Sequence, residues 1–120
     1  MKLRKVTLVP FFLALKETDG KLSLKEARIR DQMLRPLLEA TQTFEQDRLK
    51  IYQKYGELRD NQYHFKNEDI ETVNKEVIDL NEETVELPNI SGIKQILENT
   101  DYKPKTGEVE LIDEVIGLLK

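Results

Sequence analysis

His64 is the only histidine in the chain, and it stands between two aromatic residues, Tyr63 and Phe65. An imidazole exchanges a proton near neutral pH, so it is the first candidate for acid–base chemistry. Such a base needs a nucleophile or an orienting carboxylate placed against it. The chain has no cysteine, and Ser23 is better explained as a helix cap. On an alternating segment His64 would also face away from Tyr63 and Phe65. No catalytic residue is expected, and the chain is read as a non-enzyme.

The acidic runs were weighed as cation ligands. Glu68-Asp69-Glu71 and Glu82-Glu83-Glu86 lack the alternating oxygen ligands and the glycine bend that a calcium loop requires. Acidic residues at a helix start complement its dipole, and that explanation is preferred. No metal and no cofactor are expected.

Lys21, Lys25, Arg28 and Arg35 recur at steps of four, three and seven, with Lys2, Arg4 and Lys5 a further basic group. Lys25, Arg28 and Arg35 on one helix face could contact phosphates, each contact releasing a counterion. Glu26, Asp31 and Glu39 interrupt that face, and no aromatic residue stands among the basic ones to stack on bases. A solvated face is therefore preferred to a nucleic-acid site. Further along, Leu49 and Tyr52 form a second apolar stripe beside the one that would enter the core. A helix that is apolar on two sides leaves one side for a partner. Leu49, Tyr52, Lys25, Arg28 and Arg35 are accordingly the candidate partner-binding residues.

The elements that would carry these groups follow from pattern. Ser23-Leu24-Lys25-Glu26 reads as a capping box. From it a helical pattern runs to Tyr55, through Leu24, Ala27, Leu34, Leu37, Leu38, Thr41, Phe44 and Ile51, until Gly56 stops it. Pro36 inside this run predicts either a bent helix or two helices meeting near Arg35. Residues 2–9 suit a short edge strand, and Pro10 opens either a short helix to Lys16 or a continuation of that strand. Asp19-Gly20 and Asp60-Asn61 read as turns. Residues 62–66 and 83–87 read as strands. A helix capped by Asn67 carries Ile70, Val73, Val77 and Leu80. Another starts between Asn89 and Ser91 with Ile90, Ile93, Ile96 and Leu97 inward. Thr106 caps a last one with Val109, Ile112, Val115, Ile116 and Leu119. The expected fold is α+β and mostly helical: one long helix plus three shorter helices packed on a small sheet of short strands.

At 120 residues the chain fits a single domain spanning residues 1–120. Charged residues make up 35% against 38% hydrophobic, which predicts a thin core and long solvated helix faces. The longest apolar run, residues 8–15, is too short to cross a membrane. Behind Lys2, Arg4 and Lys5 it imitates a secretory signal. Pro10 interrupts it, however, and Lys16-Glu17 stand where small residues should precede cleavage. The net charge of −4 is split unevenly. Residues 1–60 carry 13 Lys/Arg against 9 Asp/Glu, and residues 61–120 carry 6 against 14. Such halves could pair with each other, mediate self-association or steer a partner.

Lys21-Leu22-Ser23-Leu24-Lys25-Glu26-Ala27-Arg28-Ile29-Arg30, the long helix closing on Lys54-Tyr55-Gly56, Gln62-Tyr63-His64-Phe65-Lys66 and Leu80-Asn81-Glu82-Glu83-Thr84-Val85-Glu86-Leu87 together resemble a family of small proteins. They are encoded by phages and prophages of low-GC Gram-positive bacteria. The likeness covers residues 15–119 and lies in element order, without an invariant chemical motif. Family members often carry Ser-Arg-x-Arg where this chain has residues 23–30, so the helix opening departs from the pattern. The family has no established activity to transfer to single residues. The resemblance implies a phage origin and an accessory role in assembly, host take-over or defence evasion. The expectation is therefore an accessory protein that binds a phage or host protein, located in the bacterial cytoplasm or on the virion. The alternatives are DNA binding through the early basic cluster, acidic DNA mimicry, and a minor structural component that forms a homo-oligomer. No membrane association is expected.

Overall fold

The computed structural model describes residues 1–18 and 20–120. The chain opens on a strand, β1 (Lys2–Arg4), followed by a 3-10 turn over Lys5–Thr7 and the helix α1 (Leu8–Lys16). The predicted strand over residues 2–9 is thus cut to three residues. Pro10 is the third residue of α1, where the backbone N–H has no helical partner to lose. Leu8, Phe11, Ala14 and Leu15 are fully buried, so the run that imitates a signal is core. Of the expected Asp19-Gly20 turn, Asp19 lies outside the described residues, and Gly20 has φ +78°.

The long helix, α2 (Leu24–Tyr55), is started by the expected capping box. The Glu26 N–H donates to the Ser23 hydroxyl at 3.2 Å, and the Ser23 N–H donates to the Glu26 carboxylate at 3.1 Å. Hydrogen bonding from the Ser23 backbone and then its side chain holds the Glu26 carboxyl below its usual value. No break occurs near Arg35: α2 runs through Pro36 as one 32-residue helix. Its buried face is Met33, Leu37, Thr41 and Phe44. Leu24, expected in the apolar stripe, is 68% exposed, because the first turn of α2 extends beyond the core.

Gly56 ends α2 as expected, and it is also the first residue of β2 (Gly56–Arg59), a strand the sequence pattern did not suggest. It pairs antiparallel with β3 (Gln62–Phe65). Asp60 and Asn61 both take positive φ, 51° and 62°, as a two-residue hairpin turn demands. Next comes α3 (Asn67–Glu82), whose N-cap is Lys66 and not Asn67. The strand β4 (Thr84–Glu86) then returns to β1, with Leu3 opposite Val85. The expected single sheet is therefore two separate two-stranded ones. β1 and β4 close the body of the molecule, while the β2–β3 hairpin rides on the far end of α2. Helix α4 (Ile93–Glu98) follows Gly92 at φ +100°, slightly later than expected. Helix α5 (Glu108–Leu118) follows Gly107 at φ +89°, so this glycine and not Thr106 is its cap. Among the described residues four shorter helices accompany α2, one more than expected, because residues 8–16 choose helix. The fold is α+β and mostly helical.

One core holds the body together. Leu3, Leu8, Phe11, Leu15, Met33, Leu37, Ile93 and Val115 have no exposed surface. Ile70 and Val109, placed inward by periodicity, are exposed: each lies in the opening turn of its helix, ahead of the residues that reach the core. Phe11→Ala should cost about 3–5 kcal/mol, whereas Leu24→Ala should change stability by less than about 0.5 kcal/mol; urea unfolding of both variants checks this. Ser23→Ala should cost on the order of 1 kcal/mol. The part contributed by the Glu26 carboxylate should be whole above the usual carboxylate range and be lost as pH falls through the depressed Glu26 value, while the Ser23 hydroxyl bond persists. Acid unfolding of wild type against Glu26→Gln reads that dependence.

Candidate functional site

Beyond Phe44 no residue of α2 is buried. Ile51 is the last residue of α2 packed against the core; the end of this helix, the β2–β3 hairpin and the first half of α3 form an arm in which Val73 is buried. Tyr52 organises it. Its ring lies 6.0 Å from Tyr63 and 5.9 Å from Phe65, both tilted, as aromatic pairs prefer. Gly56 permits this closeness, since a Cβ there would stand 2.6 Å from the Phe65 ring and 2.8 Å from the Tyr52 carbonyl.

Between the three elements runs an open groove of about 600 Å³. Tyr52, Tyr63, Phe65, Ile70, Val77 and Ile78 line most of it. Ile78 is 59% exposed and Ile70 42%, so α3 presents apolar side chains on two sides. Leu80 joins the core of the body, and Ile70, Val77 and Ile78 line the groove together with the buried Val73. Lys54 and Glu76, 3.7 Å apart, tie α2 to α3. The Tyr55 hydroxyl and then the Glu76 charge raise the Lys54 pKa.

The five candidate residues divide between the two ends of α2. Tyr52 is a wall of the groove, and on its other side it shares a shallow depression with Leu49, Glu45, Gln46 and Arg48. Leu49 is 42% exposed. About six helical turns away, Arg28 and Arg35 flank a polar depression with Asp31 and Gln32. Lys25 is exposed but does not line it. Arg30 donates to Asp31 at 3.2 Å, so acidic charge lies within the basic surface. Arg4 and Lys5 are engaged elsewhere: Arg4 binds Glu114 and Glu82, each at 2.7 Å, and Lys5 binds Glu83 at 3.1 Å. The Glu114 hydrogen bonds are the main cause of the raised Arg4 pKa.

His64 is exposed and lies opposite Glu57 across the hairpin ladder. Among the described residues, no group of three or more His, Asp or Glu is placed to hold a metal ion. No helix among them is long and apolar enough to cross a membrane. Compared with protein-family models, curated proteins and solved structures, the chain matches none.

The groove residues Tyr63, Phe65, Ile70, Val77 and Ile78 were not singled out from sequence as a site. The available signals were the Tyr63/Phe65 alternation and the width of the apolar face of α3, wider than one packed neighbour needs. Gly56→Ala should push Phe65 off Tyr52 and loosen the arm while leaving the body intact. Hydrogen exchange should accelerate over residues 56–78 in this variant and remain unchanged in α1 and α5.

Proposed function

We propose that this chain is a phage- or prophage-encoded accessory protein that works by binding another protein, without catalysis of its own. The single observation that carries the binding reading is the groove beside Tyr52. It is an apolar channel between two helices and a hairpin, floored by the buried Val73 and bordered by the exposed Ile70 and Ile78. Exposed apolar surface gathered in one channel is the usual mark of a surface that another molecule covers. Its shape suits the apolar face of a partner helix or an extended segment. The resemblance of residues 15–119 to small phage and prophage proteins supports the origin, and with it a location in the bacterial host or on the virion.

Charge supports protein binding over nucleic-acid binding. Arg4 of β1 and Lys5 of the 3-10 turn are engaged by Glu82, Glu83 and Glu114, and the arginine pair on α2 has Asp31 beside it. The acidic run after α3 is partnered by the same basic residues, which also weakens it as an imitation of a phosphate track.

Ile78→Asp and Tyr63→Ser place polar atoms on exposed or half-exposed positions, so the fold should survive both. A partner captured from bacterial lysate by the wild-type protein should be lost with either variant and retained with Arg28→Ala/Arg35→Ala. Loss only with the arginine pair would refute the groove. Duplex DNA retardation that falls steeply with salt and disappears in that same pair would replace this reading with a nucleic-acid one.

A further inference from the structure

A second surface lies along α2, on the side of Tyr52 that faces away from the groove. Leu34, Leu38, Gln42, Glu45, Leu49 and Tyr52 succeed one another at steps of four, four, three, four and three. The mean step is the period of a straight α-helix, so the six residues form one line along α2, about 27 Å long. Leu38 is 40% exposed and Leu49 42%. Gln42 is exposed, and Leu34, Glu45 and Tyr52 are half-buried.

This line is symmetric about its midpoint. Apolar residues occupy both ends, and the polar pair Gln42 and Glu45 occupies the centre. Turned end for end against itself, it sets Leu38 against Leu49, Gln42 against Glu45 and Leu34 against Tyr52. Each apolar side chain then meets an apolar one, and the Gln42 amide can donate to the Glu45 carboxylate. The Glu45 carboxylate already accepts from Arg48 of its own helix; the parallel arrangement would set this pair against its own copy and Gln42 against Gln42, so neither polar residue would gain a complementary partner.

The receiving surface also has a shape. Phe12 of α1 joins Leu34 and Leu38 in a hollow of about 570 Å³, with Lys16, Asp31, Arg35 and Glu39 around its edge. The antiparallel alignment delivers the half-exposed Tyr52 of one copy to this hollow in the other. There its ring would pack on the apolar side chains with its hydroxyl toward the charged rim, as the two ends of a tyrosine prefer. A two-fold axis makes the contact twice, as an isologous interface requires.

We propose that two copies of this chain pair antiparallel along this line of α2. The pairing shares only Tyr52 with the groove, and the positions varied to test it lie outside the groove, so either surface can fail its test while the other stands.

Light scattering and sedimentation across a concentration series test the pairing directly. Wild type should pass from monomer to dimer between micromolar and millimolar concentration. Leu38→Glu should abolish the dimer, since it places a carboxylate in the hollow. Gln42→Lys should tighten association and Gln42→Glu weaken it, each by roughly tenfold, because the two-fold axis doubles every change of charge. Orientation is read by disulfide trapping in this cysteine-free background. Leu38→Cys chains mixed with Leu49→Cys chains should cross-link under mild oxidation. Neither variant should cross-link alone, since like positions would lie about 16 Å apart. A strictly monomeric protein at millimolar concentration overturns the proposal. So does a dimer that survives Leu38→Glu, or self-cross-linking of either cysteine variant as efficient as in the mixture.

Discussion

The burial of α1 is the constraint on which the other elements depend. Leu8, Phe11, Ala14 and Leu15 occupy the middle of the body, with α2 on one side and α5 on another. Removing each large apolar side chain from water contributes about 1.5–3 kcal/mol. A chain this rich in charge has few other residues that can supply as much. The segment is held at both ends. Before it, β1 pairs with β4, and the Lys5 N–H donates to the Glu83 carbonyl at 2.7 Å. After it, the Thr100 hydroxyl donates to the Ala14 carbonyl of α1, and the Asp101 N–H donates to the Glu17 carbonyl at 2.8 Å. The hydrophobic opening of the chain thus recruits residues from the second half to satisfy its backbone.

The uneven charge of the two halves has a physical role in the same closure. Arg4, Lys5, Lys21 and Lys54 from the basic half pair with Glu114, Glu82, Glu83, Asp101 and Glu76 from the acidic half. Exposed pairs of this kind are individually weak, worth about 0–1 kcal/mol. Their use is to fix which surfaces meet. Arg4 shows the strongest form, a fork onto Glu114 through Nε and Nη2 with Glu82 on its other nitrogen. It joins β1, α3 and α5 at one point. Intramolecular complementarity accounts for much of the asymmetry and needs no outside partner.

What the sequence made legible was local chemistry. The Ser23 capping box, the end of α2 at Gly56, the Asp60-Asn61 turn and the inward faces of α4 and α5 follow from residue type and short spacing. Features that depend on distant packing were not legible. Gly56 signals a helix stop, and nothing in Gly56-Glu57-Leu58-Arg59 marks a strand. That strand exists because Tyr52 and Phe65 meet above a glycine with no Cβ to keep them apart. Ile70 fits the periodicity of the packed face, yet only the placement of α3 against α2 decides that it faces the groove. Of the candidate residues on α2, Lys25, Arg28, Arg35 and Leu49 are exposed and Tyr52 is half-buried, and their division between the two ends of one helix needs three dimensions. Tyr52 was singled out as half of an apolar stripe. Its role as the wall between two surfaces came from the hairpin beside it.

The continuity of α2 through Pro36 has a geometric consequence. Thirty-two residues of uninterrupted helix measure about 48 Å, close to the 52 Å long dimension of the whole molecule. The body covers one end of this rod and the aromatic arm the other, and the helix between them is unbroken. Tyr52 and Arg28 therefore stand about 36 Å apart along its axis, too far for one small partner to touch both.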